Sequence, residues 1–153
     1  MARTQFLNER VAEGASFFAL GGRPEAGRSD ARRGRQGAVS APLAAEQAAI
    51  RCRLAREIAS AVLAVPVEEI ARPTRSIAET CQARHLAIYL AHVVFQVPLS
   101  AIAVGFGRDR TSVAYAIRRV EDARDEAGFE RLVTRMERLA DACLELSGRG
   151  DFA

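Results

Sequence analysis

Between residues 43 and 147 the apolar residues of this chain recur every three or four positions, and proline or glycine breaks the run at intervals. That spacing follows the helical period rather than the two-residue period of a strand. Ile50, Leu54, Ile58, Ala61, Val62 and Val65 predict a first helix from Leu43 to Val65 with one apolar face. Pro66 stops it and suits the first turn of a short helix from Val67 to Arg72. Pro73 to Glu79 reads as a connector. Residues 80–96 carry Leu86, Ile88, Tyr89, Leu90, Val93 and Val94, an arc wide enough to predict burial among other helices. After Pro98 a short helix spans Leu99 to Phe106, and Gly105-Phe106-Gly107 predicts a tight turn. Asp109 or Arg110 opens a further helix, with Val113, Ala116, Ile117 and Val120 inward, expected to end at Gly128 after Ala127. A last helix over 129–146 uses Leu132, Val133, Met136, Leu139, Ala140 and Leu144. No segment alternates persuasively as a strand. The expected fold is all-α, a small helical bundle on one core.

Residues 21–42 are of another kind. Gly, Pro, Ser and Arg dominate, and Val39 is the one bulky apolar residue. Such a stretch cannot bury enough surface to offset its ordering entropy. The expected organisation is a flexible Arg/Gly-rich N-terminal segment over 1–42, an ordered domain over 43–147 and a tail over 148–153. Arg32-Arg33-Gly34-Arg35 suits either a sequence-blind hold on a polyanion or a soluble spacer. Phe17, Phe18 and Leu20 suit either a docking element or a frayed terminus.

All 22 basic residues are arginine, against 19 acidic residues, for a net charge of +3. The charge is unevenly placed. Residues 72–119 hold seven arginines with only Glu79 and Asp109, whereas residues 120–147 hold four arginines and eight acids. A basic block followed by an acidic one gives a directional field that draws a polyanion to one segment and repels it from the other.

Several function classes fall away. No apolar run approaches the roughly 20 residues a membrane helix needs, and Glu9 and Glu13 interrupt the stretch where a signal peptide would be apolar. Cys52, Cys81 and Cys143 are odd in number and widely spaced, which fits small apolar residues in a reducing compartment rather than a disulfide framework. A cytoplasmic, nucleoid-associated location is expected. His85 and His92 are seven apart, a poor metal pair. Glu68 and Glu69 are adjacent and diverge on a helix, and no Gly-x-Ser-x-Gly elbow occurs. Neither an enzyme, nor a cofactor, nor a metal is expected.

Leu99 to Arg119 carries the most information. Helix, tight turn and second helix form the layout of a helix-turn-helix, whose second helix enters a major groove by its N-terminal end. The outer face of that helix offers Arg108, Arg110, Thr111, Ser112, Tyr115, Arg118 and Arg119. Arginine pairs bidentately with guanine, and Ser and Thr bond bases or phosphates. Asp109 is the odd member, repelled by phosphate unless it caps the helix or accepts from a cytosine amino group. The same pattern also fits a plain helical hairpin with an arginine-rich exposed side.

The residues Arg84-His85-Leu86-Ala87-Ile88-Tyr89-Leu90-Ala91, Pro98-Leu99-Ser100-Ala101-Ile102, Phe106-Gly107-Arg108-Asp109-Arg110-Thr111-Ser112-Val113 and Ala116-Ile117-Arg118-Arg119-Val120 together resemble the C-terminal DNA-binding domain of the bacterial replication initiator DnaA. The resemblance covers about residues 46–146. It implies an all-α bundle whose helix-turn-helix binds short duplex boxes. It implies that Arg84 enters a minor groove beside the box, that Asp109, Arg110, Thr111 and Ser112 meet base edges or nearby phosphates, and that Arg108, Arg118 and Arg119 touch the backbone. This sequence departs from the family pattern in lacking one of two glycines before Arg108. Arg110 stands where histidine is usual, Ser112 where threonine is usual, and His85 in place of glutamine. A different box is therefore expected. The initiator's ATPase loop has no counterpart, since the chain contains no lysine. Two readings stand. One is a sequence-selective binder of double-stranded DNA that regulates replication initiation or transcription. The other is a protein-interaction module of the same fold that acts on the initiator or its regulators.

Overall fold

The computed structural model describes residues 41–72 and 77–148. Six helices make up these residues: α1 (Ala41–Leu63), α2 (Val67–Ala71), α3 (Ala78–Val93), α4 (Leu99–Phe106), α5 (Arg110–Ala123) and α6 (Ala127–Gly148). No strand occurs among the described residues. The fold is all-α, as expected. The readings of residues 1–40, of 73–76 and of the tail after residue 148 lie outside the described residues.

α3 is the hub, packing against each of the other five helices. Ala83, Leu86, Ala87, Ile88, Leu90 and Ala91 are all buried along it. The wide apolar arc read from the sequence is therefore occupied on every side. α1 lies along α3 and α4, and its Cys52, Ala55 and Ala59 are fully buried. This differs from the expected inward face. Ile50 is 51% exposed, and Ala61 also faces outward. Small residues thus hold fully buried positions of α1, one of them, Cys52, directly against Gly105 of α4. α5 closes the core with Val113, Ala116, Ile117 and Val120, and α6 with Phe129, Val133, Met136 and Ala140.

Long-range arginine bonds fix the connections. Arg51 Nη1 donates to the carbonyl of Phe95 at 3.0 Å, and Arg56 Nη1 to that of Gly105 at 2.8 Å. The Arg56 guanidinium also lies over the Phe106 ring, 5.2 Å from its centroid. These bonds tie α1 to the ends of α3 and α4, where carbonyls lack helical partners.

Two boundaries correct the sequence reading. The turn between α4 and α5 is Gly107-Arg108-Asp109; Gly105 and Phe106 are the last two residues of α4. Gly105 is small because α1 is close: a Cβ there would stand 3.0 Å from Cys52 Sγ. Gly107 is the turn glycine, with φ 59° and ψ 40°. Its N–H donates to Val104 and that of Arg108 to Ala103, at 3.2 and 2.9 Å, which makes a Schellman ending. The second boundary is at the other end of α5, which stops at Ala123, ahead of Gly128. Glu126 starts α6 instead: its Oε1 accepts from Gly128 N at 3.2 Å, and its carbonyl from Glu130 N at 2.9 Å.

Candidate nucleic-acid interface

The recognition segment is built from its cap outward. Asp109 is the N-cap of α5. Its Oδ1 accepts from Ser112 N at 2.7 Å, and its Oδ2 accepts from Ser112 Oγ at 2.7 Å. The hydroxyl and amide of Ser112 hold the Asp109 carboxyl below its ordinary range. Of the two roles open to this acid, the geometry supplies the cap. The first turn of α5 stands clear of the core: Asp109, Arg110 and Thr111 are exposed and Ser112 is half-buried. Among the described residues no side-chain hydrogen bond or ion pair engages Arg110, Thr111 or Arg118.

Thr111 and Arg118 lie seven residues apart on one outward stripe, opposite buried Val113, Ala116 and Val120. Exposed Glu121 and Asp122 follow at the far end of the helix. The charge gradient along α5 therefore favours approach of a polyanion at the tip and opposes it at the other end.

Behind the tip lies a half-buried layer. The rings of His85 and Tyr115 meet edge to face with centroids 6.1 Å apart, so Tyr115 is half-buried against α3 rather than fully outward. Burial, then the charges of Arg119, Arg84 and Arg108, push the His85 imidazole down to about 4. It is neutral at pH 7. Cys81 Sγ lies 3.6 Å from His85 Nε2. Arg108 and Arg119 are half-buried at the edge of this layer.

Arg84 is placed differently from the other site residues. It is 5% exposed, donating from Nε to the Ile70 carbonyl at 2.9 Å and from Nη2 to the Glu69 carbonyl at 3.0 Å. These carbonyls end α2 and lack helical donors. Burial, then neighbouring Arg108, lowers the Arg84 pKa. Its guanidinium caps the end of α2. The structure thus brings Arg108, Asp109, Arg110, Thr111, Ser112, Tyr115, Arg118 and Arg119 to one region of the turn and α5, and sets Arg84 beneath it. Sequence reasoning missed Arg56, which holds the end of α4 and so the turn. An arginine among the apolar residues of α1 gives no signal of a carbonyl 49 positions away.

Beyond the tip, Arg124 anchors the start of α6. It bonds Glu130 at 2.6 and 2.8 Å and Glu137 at 2.7 Å, and reaches the Tyr89 hydroxyl. No helix among the described residues is long and apolar enough to cross a membrane.

Residues 54–120 match the family described as the bacterial dnaA protein helix-turn-helix. A solved structure of a DNA replication initiation factor is similar to this chain, at 33% identity and a TM-score of 0.58. The similarity covers 63% of this chain and 30% of that one. No curated protein matches the chain.

Proposed function

We propose that this chain, whose residues 54–120 match the family described as the bacterial dnaA protein helix-turn-helix, binds double-stranded DNA sequence-selectively and regulates replication initiation or transcription. α5 enters the major groove by its tip. Arg110, Thr111 and Arg118 meet the duplex directly, while Arg108 and Arg119 lie where backbone phosphates pass. The observation that carries this reading is the exposed first turn of α5 on a helix whose rear is packed into the core. The position of Arg84 argues for a supporting role beneath the interface.

The test is binding of labelled duplexes that contain initiator-type boxes, against scrambled duplexes, at two salt concentrations. Preference for the boxes that persists at the higher salt supports the reading. Sequence-blind binding, or none, favours the second reading, in which the fold acts on the initiator or its regulators through protein surfaces. One observation favours that second reading: α6 presents Leu139 and Leu146, 43% and 58% exposed, on its outer side.

A further inference from the structure

α6 carries two apolar stripes, and only one of them is covered. Phe129, Val133, Met136 and Ala140 are buried in the core. Leu132, Leu139 and Leu146 recur at seven-residue intervals and so share one side of the helix, displaced from that buried face. Leu132 is half-buried, whereas Leu139 and Leu146 stand 43% and 58% exposed, with exposed Ala142 between them. The charges on the outer side are sorted along the helix. Arg131, Arg135 and Arg138 occupy the first part, Asp141 and Glu145 the second, and all five are exposed. Among the described residues no ion pair engages any of them.

We infer that this side of α6 is a self-association surface and that its occupant is the α6 of a second copy, laid antiparallel about a two-fold axis beside Leu139. With Leu139 against Leu139, Leu132 of each copy comes level with Leu146 of the other, so the half-buried leucine is covered by the more exposed one. The same register sets the basic part of each helix alongside the acidic part of the other, and Glu145 falls level with the span between Arg131 and Arg135. The arrangement is self-complementary, as a two-fold contact must be, and it brings opposite charges together. A parallel pair would set like charges side by side along its whole length. Arg138 lies near the axis and meets its own counterpart at the solvent edge, and the apolar seam is short, so the pair forms and separates with concentration. The inference holds under either reading of the fold's task. Under the duplex reading, the joined pair would carry two α5 tips related by the axis, the symmetry of two inverted half-sites.

The test is sedimentation of the full chain without DNA, from about 1 to about 500 μM, so that its outcome is independent of the duplex reading. Wild type shifts from monomer to dimer across that range. Leu139→Glu and Leu146→Glu each weaken association by at least about 10-fold. Both side chains are exposed, so circular dichroism stays as in wild type. The direction of pairing is read from charge. A chain carrying Asp141→Arg and Glu145→Arg, and another carrying Arg131→Glu and Arg135→Glu, each associate less well alone than wild type and form a mixed dimer when combined. Dimerisation indifferent to the leucines overturns the inference. So do charge variants that self-associate as well as wild type, or that fail to pair with each other. A chain that stays monomeric throughout also overturns it and leaves the leucines to an unlike protein, as in the second reading above.

Discussion

Gly105 of α4 packs directly against Cys52 of α1, so closely that a Cβ on the glycine would lie 3.0 Å from the sulfur and 3.1 Å from the cysteine Cβ. The helix in front of the turn is held at this contact and by the Arg56 bond to the Gly105 carbonyl. Alanine at Gly105 gains about 1 kcal/mol of helix propensity and meets the sulfur. The two effects separate in a double-mutant cycle. Gly105→Ala is more damaging beside Cys52 than in a Cys52→Ala background, with a coupling of about 1 kcal/mol in urea unfolding. Strict additivity would sink this account of the contact.

Gly107 and Ala64 both occupy the left-handed region, at φ 59° and 55°. Only the first has the residue suited to it. Gly107→Ala costs about 1–2 kcal/mol and loosens the turn. Ala64→Gly relieves comparable strain and gives part back as unfolded-chain entropy, so it is neutral or stabilising by up to about 1 kcal/mol. Thermal melts of the two variants should move in opposite directions, or only the first should move.

His85 makes stability depend on pH. Its folded pKa, about 4, lies below the ordinary value of 6.5. The unfolded chain therefore binds a proton that the folded one refuses. Its contribution is complete above pH 6.5 and is lost as pH falls from there towards 4, an effect on the order of 3 kcal/mol. Arg84, Arg108 and Arg119 face the ring, with Cys81 and Tyr115 beside it. Urea unfolding at pH 7.5, 6 and 5 should show a steady loss in wild type and a flatter profile in His85→Gln. Parallel profiles would place the pH dependence elsewhere.

Tyr89 gives an optical readout at the other end of α3. Burial and its bond to Glu137 push the phenol up to about 12. A raised pKa means stability that is present below pH 10 and lost as pH rises through 12. Glu137→Gln removes the negative acceptor and should bring part of the tyrosinate absorbance to lower pH. The chain has two tyrosines, and a Tyr115→Phe background isolates the signal.

If the chain binds duplex DNA as proposed, the outward stripe of α5 separates two kinds of contact. Thr111→Ala loses discrimination between sites. Arg118→Ala weakens all duplexes alike and lowers the salt slope by about one. Equal behaviour of the two variants would show that the helix is docked otherwise.

The period of the apolar residues predicts the four long helices, α1, α3, α5 and α6, because burial of one face dominates them, while Pro66 and Pro98 mark the starts of the short α2 and α4. It misplaced details where another force decides. Gly105 and Gly107 look alike in sequence, yet one answers a neighbouring helix 53 positions away and the other a backbone dihedral. Gly128 reads as a helix end, but Glu126 caps a new helix ahead of it. Ile50 follows the apolar period yet is half exposed, whereas the fully buried positions of α1 include the small residues Cys52, Ala55 and Ala59. For the candidate site, local motif chemistry placed Arg110, Thr111 and Arg118 on the accessible side. The fate of Arg84 was not legible. It depends on α2 ending within reach of α3, a tertiary fact with no local signature.

The guanidinium that caps α2 has a mechanical meaning. Pulling α2 away from α3 would strand a sequestered cation and two bare carbonyls together, so the short helix and the hub travel as one piece. On the proposed reading, a stiff, highly charged polymer would approach a surface that rests on this single piece, with side chains at the rim left to adjust.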